Sequence, residues 1–422
     1  MEYALTCLEK QVDLEGSARY SRALIRRRVI RSARLLLKLV MVYGLTGYSL
    51  SMVGLWGTVM AWGSLSKNAV RKRLQHCQAW IGYLIVQLML VGRLSIPDQA
   101  GGRVRLMDAS LIRQPGSPKA NWRLHLSFNL SRMRLDGVQL TPYAGGETLT
   151  RWQFEAGDVC LADRFYGVLR SLGVVWAASA YFVIRIGWQN LPMSDQTGCP
   201  FSVTDWLCVQ SGDPAAQPAQ TQVWVNTPQG RFPVRLIARA IPAEKAKQRR
   251  QVLRMEAKGQ HRHLDERSLL AAGFVILVSN LPDVTWSASQ ILDLYRFRWQ
   301  VELVFKRLKG LLDLDQIRVT RDPGLAQVFL LTKILVALAL GELQWSLALA
   351  QAETFCDPDR PISLWRLTQL VTETFRQAMI GSLTWEAVQY HWPHLARYLC
   401  DPPRRRRSQL THRPDFGTLF GL

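Results

Sequence analysis

Short apolar runs in the first half of the chain predict a set of β-strands. From residue 122 to 130, apolar residues at 124, 126 and 128 alternate with polar residues at 123, 125 and 127, which is the pattern of a half-buried strand. Further strand-like runs lie at 103–108, 137–142, 159–163 and 181–186. Three strands, a short helical piece, a strand, a helix and a strand follow in order, which predicts a mixed α/β core.

A helical period replaces the alternation between residues 294 and 312. Apolar residues recur there at spacings of three and four, as in an amphipathic helix. They are Leu294, Phe297, Val301, Val304, Phe305, Leu308, Leu311 and Leu312. At about 100° per residue, Tyr295, Arg298, Glu302 and Lys309 fall within about 60° of one another. We therefore predict one continuous helix with these four side chains along the edge of its buried face.

Two interpretations of this polar stripe are open. In the first it is the ordinary charged border of a helix, where an Arg298–Glu302 pair contributes only about 0.2–0.5 kcal/mol. In the second it is functional, because a single acid stands among cations in an excess that suits a polyanion better than solvent. These cations are Arg296, Arg298, Lys306, Arg307 and Lys309. The mixture of residue types favours the functional interpretation.

The spacing Tyr-x2-Arg-x3-Glu-x6-Lys resembles the signature of bacterial insertion-sequence transposases of the DDE type, in the "insertion sequence four" family. The resemblance implies an RNase H-like catalytic core in which two upstream aspartates join Glu302. Asp108 and Asp163 meet this demand, because each stands at the end of a predicted strand. Taken singly, an aspartate in such a place is more often a turn former or a helix cap.

Three converging carboxylates are expected to hold Mg²⁺ or Mn²⁺, two ions per site, because these cations prefer hard oxygen ligands. Asp108, Asp163 and Glu302 are therefore the predicted catalytic and metal-binding residues. The resemblance implies divalent-metal-dependent DNA cleavage at the ends of the element and strand transfer into target DNA. A nuclease on the same core that makes no strand transfer is one alternative. An inactive DNA-binding regulator derived from a transposase is another, although the three intact acids count against it.

Roles for the neighbouring residues are implied by the same resemblance. Tyr295, Arg298 and Lys309 match the family signature and are expected to contact phosphates near the cleaved bond. Trp299 either stacks on a displaced base or packs at the edge of its helix. Arg164 either contacts a phosphate or forms a surface salt bridge.

The first 97 residues are predicted to form a helical domain with the outline of a helix-turn-helix reader. A helix at 50–60, a turn at 62–65 and a basic helix capped by Ser66 give this outline. The predicted DNA contacts are Lys67, Arg71, Lys72 and Arg73. The resemblance places a DNA-binding domain here, whereas a helical domain that only packs against its neighbours gives the same pattern.

Changes in composition predict the remaining boundaries. The first part of the RNase H-like core is expected at 98–190, a β-rich insertion at 191–270 and the second part of the core at 271–355. A helical C-terminal region with a basic tail is expected at 356–422. The insertion is required because the separation of Asp163 and Glu302 is too long for a compact core.

The net charge indicates which kind of partner the protein binds. The chain of 422 residues carries a formal charge of +21, spread along its length, which points to a long polyanion rather than a small acidic ligand. Double-stranded DNA, as the element's inverted repeats and as target, is the expected partner, and no small-molecule substrate is expected. By resemblance, a homodimer on DNA is expected as well.

Cysteines and apolar stretches bear on the compartment. The 7 cysteines are scattered without a C-x2-C pair, which predicts reduced thiols rather than disulfides or a zinc site. No signal-peptide pattern is present, so the bacterial cytoplasm, with association to the nucleoid, is the expected location. The uncharged stretch at 39–62 is long enough for a membrane span. Gly44 and Gly47 predict a break between two helices there instead, so no membrane partner is expected.

Overall fold

The computed structural model describes residues 9, 12–94, 102–130, 134–261, 263–319, 322–355 and 364–379. The predicted basic tail and most of the predicted C-terminal region lie outside these residues. The helices of the N-terminal part are α1 (Leu14–Tyr20), α2 (Ala33–Leu45), α3 (Leu50–Val59), α4 (Lys67–His76) and α5 (Gln78–Leu94). The later helices are α6 (Leu169–Ala177), α7 (Val203–Cys208), α8 (Ala243–Gly259), α9 (Glu266–Ala271), α10 (Ala288–Arg296), α11 (Trp299–Leu312), α12 (Pro323–Phe355) and α13 (Leu364–Met379). The strands are β1 (Val104–Ile112), β2 (Trp122–Asn129), β3 (Arg134–Pro142), β4 (Val159–Ala162), β5 (Tyr181–Arg185), β6 (Ala219–Thr227), β7 (Gly230–Ala240) and β8 (Phe274–Ser279).

The strands form one 8-stranded sheet in the order β3-β2-β1-β4-β5-β8-β7-β6. β4 lies between β1 and β5 and is parallel to both. All four residues of β4 are buried, as is usual for a parallel strand covered on both faces. The five predicted strands, a 3-10 turn at Leu149–Arg151 and helix α6 occur in the predicted order. The mixed α/β core predicted from the sequence is therefore confirmed.

The strands of the predicted β-rich insertion, and the strand β8 that follows it, continue this same sheet. β8 is antiparallel to β5, with Val183 opposite Ser279, and β7 is antiparallel to both β8 and β6. Helix α6 packs on β5 and β6, and Trp176 of α6 stacks on Phe232 of β7 with ring centroids 4.6 Å apart. The region at 191–270 also contains α7, α8 and α9. Its bounds as a separate domain stay a prediction.

A buried network of ion pairs ties together the strands that lead to the candidate site. Arg103 donates to both carboxylate oxygens of Asp158, at 2.8 and 2.6 Å. Arg105 lies 3.2 Å from Asp136 and 3.5 Å from Asp158. Although burial opposes ionisation, the hydrogen bonds from Arg103 hold the pKa of Asp158 below its ordinary value. Since removing one partner would leave a buried charge unpaired, the network fixes β1 beside β4.

The described residues divide into two compact units. One lies within Met1–Pro97, Ser110–Leu124 and Leu303–His412, and the other within Asp98–Ala109 and His125–Glu302. In the first unit, α3 and α4 confirm the predicted helices, and the Ser66 hydroxyl caps α4 by accepting from the Ala69 amide at 3.2 Å.

The uncharged stretch at 39–62 is shared between two helices of this first unit. α2 ends at Leu45 and α3 begins at Leu50, which confirms the predicted break. In the part of the chain that the structure describes, no helix is both long and apolar enough to cross a bilayer.

The single continuous helix predicted at 295–309 is wrong in one respect, because it is two helices. α10 ends at Arg296 and α11 begins at Trp299. The amides of Phe297 and Arg298 bond to carbonyls three residues earlier, each at 3.1 Å, which tightens the turn and interrupts the helical bonding. The apolar period continues across this turn, so it could not reveal the break. Tyr295 therefore stands in the last turn of α10, and Glu302 stands in the first turn of α11.

Candidate active site

Asp108 in β1 and Asp163, which directly follows β4, are neighbours. β1 and β4 pair in register with Met107 opposite Ala162, so the next position along each strand holds one of the two aspartates. Adjacent strands lie about 4.8 Å apart, and the charge of Asp163 acts on Asp108. Two acids 55 residues apart in the sequence thus come together where β4 ends. β1 continues past Asp108 to Ile112, so the strand end predicted at Asp108 is wrong.

The environment of Asp108 favours a protonated carboxyl. Burial is the main cause that raises the pKa of Asp108 to about 7, and the charges of Asp163 and Glu147 act in the same direction. The Ala109 amide, which donates to Asp108 Oδ1 at 2.8 Å, and the Arg298 guanidinium act in the opposite direction. Two carboxylates this close do not both ionise readily unless a cation is present. Perturbed carboxyls of this kind are concentrated at functional sites.

Asp163 also serves as a helix cap. Its Oδ1 accepts from the Phe165 amide at 3.0 Å and caps the 3-10 turn Arg164–Tyr166. The cap that a lone aspartate suggests is therefore present, and it holds the carboxylate in place. Oδ2 makes no hydrogen bond to any residue that the structure describes, so it can accept a cation.

Arg298 connects the aspartates to Glu302. Its guanidinium lies 2.5 Å from Glu302 Oε1 and 3.8 Å from Asp108 Oδ2. The Glu302 side chain is 56% exposed and stands in the first turn of α11, where the helix dipole favours an acid. The Arg298 side chain is only 19% exposed, so Glu302 is the partner of this pair that solvent reaches.

Two aromatic residues flank Arg298. The guanidinium lies 6.0 Å from the ring centroid of Tyr295. Burial raises the pKa of Tyr295 to about 12, so its hydroxyl stays neutral and can donate. Trp299 is 43% exposed, so its ring is accessible, as stacking on a base requires.

Glu147 and Tyr166 were missed in the sequence. The Tyr166 side chain is fully buried, and its hydroxyl has no hydrogen-bond partner among the described residues. Burial raises the pKa of Tyr166, and the charges of Glu147, Asp108 and Asp163 raise it further. Glu147 sits in a Gly-Gly-Glu-Thr turn with no signal of function, and Tyr166 could have been suspected only from its closeness to Asp163.

The structure says less about two other predicted DNA contacts, Arg164 and Lys309. Arg164 is exposed, lies 5.6 Å from the ring of Phe165 and forms no ion pair within the described part of the chain. Lys309 is half-buried on α11 and belongs to the unit that contains Leu303–His412. Their contacts with DNA stay predictions.

The basic face of α4 is partly engaged by the protein itself. Lys67 and Lys72 are exposed. Arg71 Nε lies 3.4 Å from Asp322, and Arg73 donates to the backbone carbonyl of Arg26. Two of the four predicted DNA contacts thus already have partners, and the role of this helix in DNA binding stays a prediction.

The carboxylates fit, in part, the metal that they imply. Asp108 and Asp163 suit a divalent cation because they present adjacent hard oxygen ligands. A bound cation would also lower the raised pKa of Asp108. Glu302 is instead held by Arg298. Across the described residues, no group of three or more His, Cys, Asp or Glu side chains is close enough to hold one ion. Two of the three predicted ligands are therefore assembled.

The chain is similar to several known transposases. A family profile described as "Transposase DDE domain" matches residues 99–338. The transposase of insertion sequence element IS421 of Escherichia coli is 34% identical over 349 residues, which covers 80% of this chain and 92% of that protein. The transposase of element IS231F of Bacillus thuringiensis subsp. israelensis is 24% identical over 298 residues, covering 63% of this chain and 62% of that protein. A cryo-EM structure of the piggyBac transposase synaptic complex with hairpin DNA aligns at a TM-score of 0.48 and 11% identity, over 98% of this chain and 86% of that one.

Proposed function

This chain belongs to the family of transposases with a DDE domain, and we propose that Asp108, Asp163 and Glu302 form the centre at which it cuts the ends of an insertion sequence and joins them to target DNA. The observation that carries the assignment is the register of β1 and β4, which sets the two aspartates side by side. Arg298 links this pair to Glu302, the third acid. Divalent-metal dependence is general in this family.

Asp108 and Asp163 would be the first ligands for a divalent metal, and Glu302 would be the third. Bound divalent cations, two in number by the chemistry of such sites, would neutralise the acids and stabilise charge on the oxygens of a phosphodiester. Glu302, the exposed partner of this ion pair, would leave Arg298 to reach the metal. Arg298 is then free to hold a non-bridging phosphate oxygen through its planar fork.

The remaining side chains position DNA. Tyr295, neutral and half-buried, donates its hydroxyl to a phosphate oxygen, and the accessible ring of Trp299 stacks on a base. The exposed Lys67 and Lys72 on α4 contact the backbone phosphates of the element end. A homodimer that pairs two ends is the expected assembly.

Single-residue variants test the three acids. We expect Asp108→Asn, Asp163→Asn and Glu302→Gln each to lower cleavage by at least about 10²-fold, the loss seen when one charge-stabilising group is removed from an active site. Binding to the same DNA is expected to persist, because phosphate contacts supply most of the affinity. The measurement is a gel assay with labelled element ends and a target plasmid in the presence of Mg²⁺ or Mn²⁺.

The control is Glu256→Gln, which removes an exposed carboxylate on α8 and should cut like the unmodified protein. Cleavage that survived in Glu302→Gln would remove Glu302 from the centre. Products joined to the plasmid support transposition, whereas cut ends without joining would favour a nuclease.

A further inference from the structure

A cavity lined by five arginines lies beside the candidate site, within the unit that contains His125–Glu302. Its volume is about 450 Å³, and no aspartate or glutamate is among its lining residues. The arginines come from four elements and from the turn after α10. They are Arg185 of β5, Arg239 of β7, Arg249 of α8, Arg296 of α10 and Arg298.

Three of these arginines lack an acidic partner. Arg296 lies 3.0 Å from Asp293, and Arg298 is paired with Glu302. For Arg185, Arg239 and Arg249, the described residues provide no carboxylate within ion-pair distance. Arg239 Nε and Arg249 Nη1 are shielded from solvent and have no hydrogen-bond partner in the described part of the chain.

The arginine charges that line the cavity favour the binding of an anion. Burial lowers the pKa of Arg185, and the charges of Arg249, Arg164 and Arg298 lower it further, although Tyr295 opposes them. Guanidinium nitrogens that reach neither solvent nor a partner are costly to fold. A chain keeps such groups where a bound anion satisfies them, and the planar forks of arginine match the oxygens of a phosphate.

The position of the cavity indicates which kind of anion it binds. Arg298, Tyr295 and Trp299 belong to its lining, and Arg298 also lies 3.8 Å from Asp108. The cavity therefore opens at the residues where, on the proposed function, a phosphodiester is cut. A DNA strand that passes the carboxylates brings further phosphates to the cavity at regular spacing, which a small anion does not.

We propose that Arg185, Arg239 and Arg249 bind the phosphodiester backbone of a DNA strand next to the bond that is cut. The inference rests on the proposed function and adds a backbone subsite supplied by β5, β7 and α8.

The test compares the unmodified protein with Arg239→Gln/Arg249→Gln and with Arg254→Gln as a matched control. Arg254 is an exposed arginine on the same helix, α8, and does not line the cavity. The probe is a fluorescein-labelled oligodeoxynucleotide of mixed sequence, single-stranded or as a duplex, titrated without metal at several salt concentrations. Removing one phosphate-binding cation lowers the slope of log K against log salt by about 0.7 to 0.9. We expect the double variant to show a slope smaller by about 1.4 to 1.8 by this rule, and Arg254→Gln to keep the original slope.

Thermal unfolding separates this role from a structural one. The double variant is expected to melt no lower than the unmodified protein, because it removes two unpaired cations, and Arg249→Lys is expected to recover part of the slope. An unchanged slope in the double variant would overturn the subsite. The subsite would also be overturned if inorganic phosphate or a free nucleotide raised the melting temperature as much as the oligodeoxynucleotide does. The cavity would then bind a small anion.

Failure of the subsite and failure of the proposed function give different results. The titrations need no cleavage, so a protein that binds DNA through these arginines but never cuts it keeps the subsite and loses the transposase chemistry. If the protein cuts DNA but the double variant keeps the original salt slope, the proposed function stands and the subsite is wrong.

Discussion

Asp108 is the residue whose chemistry depends most on its surroundings. Its side chain is 16% exposed, and burial beside Asp163 raises its pKa to about 7. An unfolded chain has no such environment, so the folded protein binds this proton more tightly than the unfolded one. The stability that this proton provides is complete below about pH 4 and is lost as the pH rises through about 7.

Asp108→Asn is therefore expected to stabilise the metal-free protein in a pH-dependent way. The gain in the free energy of unfolding should be small near pH 4 and grow to a few kcal/mol at about pH 8, since one pKa unit corresponds to about 1.4 kcal/mol. Urea unfolding in the presence of a chelator, at several pH values, measures it. A gain that did not change with pH would show that the carboxyl of Asp108 is not perturbed in the folded protein.

At the scale of elements, the break between α10 and α11 changes what the signature means. The spacing of Tyr295, Arg298 and Glu302 suggested one stripe on one helix, whereas the structure places them on a helix end, a turn and a helix start. The turn places Arg298 between Glu302 and Asp108. The motif was recognised from spacing alone, but its geometry depends on the hydrogen bonds of the turn.

Helix packing in the first unit leads to a testable prediction. A Cβ on Gly44 of α2 would lie 2.5 Å from the Thr332 methyl group of α12, so Gly44→Ala is expected to destabilise the protein despite the better helix propensity of alanine. The expected loss is about 1–3 kcal/mol, the usual cost of overpacking. Denaturant unfolding measures it.

Gly82→Ala in α5 is the matched control. A Cβ there meets no atom within 4 Å, so it is expected to stabilise the helix by up to about 1 kcal/mol. If both variants gained stability, the close approach of α2 and α12 would be wrong.

For the whole molecule, charge is the dominant property. A formal charge of +21 on 422 residues opposes a compact fold and favours a polyanion as partner. If 6–10 phosphates are contacted, the affinity for DNA is expected to fall by about 10³-fold or more between about 50 and 200 mM salt. Fluorescence anisotropy across this range measures the slope, and a flat response would contradict binding through many phosphates.

The sequence by itself determined the order of the elements, and it predicted the three acids and a polyanion as partner. Apolar periods, strand ends and charge are local properties, so they can be read without knowing which segments meet. The cap at Ser66 and the break between α2 and α3 were predictable for the same reason.

Only the tertiary structure decided which side chains share a site. The register of β1 and β4 put Asp163 beside Asp108, and the fold brought Glu147 and Tyr166 to the same acids. Arg185, Arg239 and Arg249 are separated along the chain and line one cavity only because the sheet continues from β5 through β8 to β7. Burial, cross-strand register and the pairing of distant charges depend on which segments meet in space, and no local pattern specifies that.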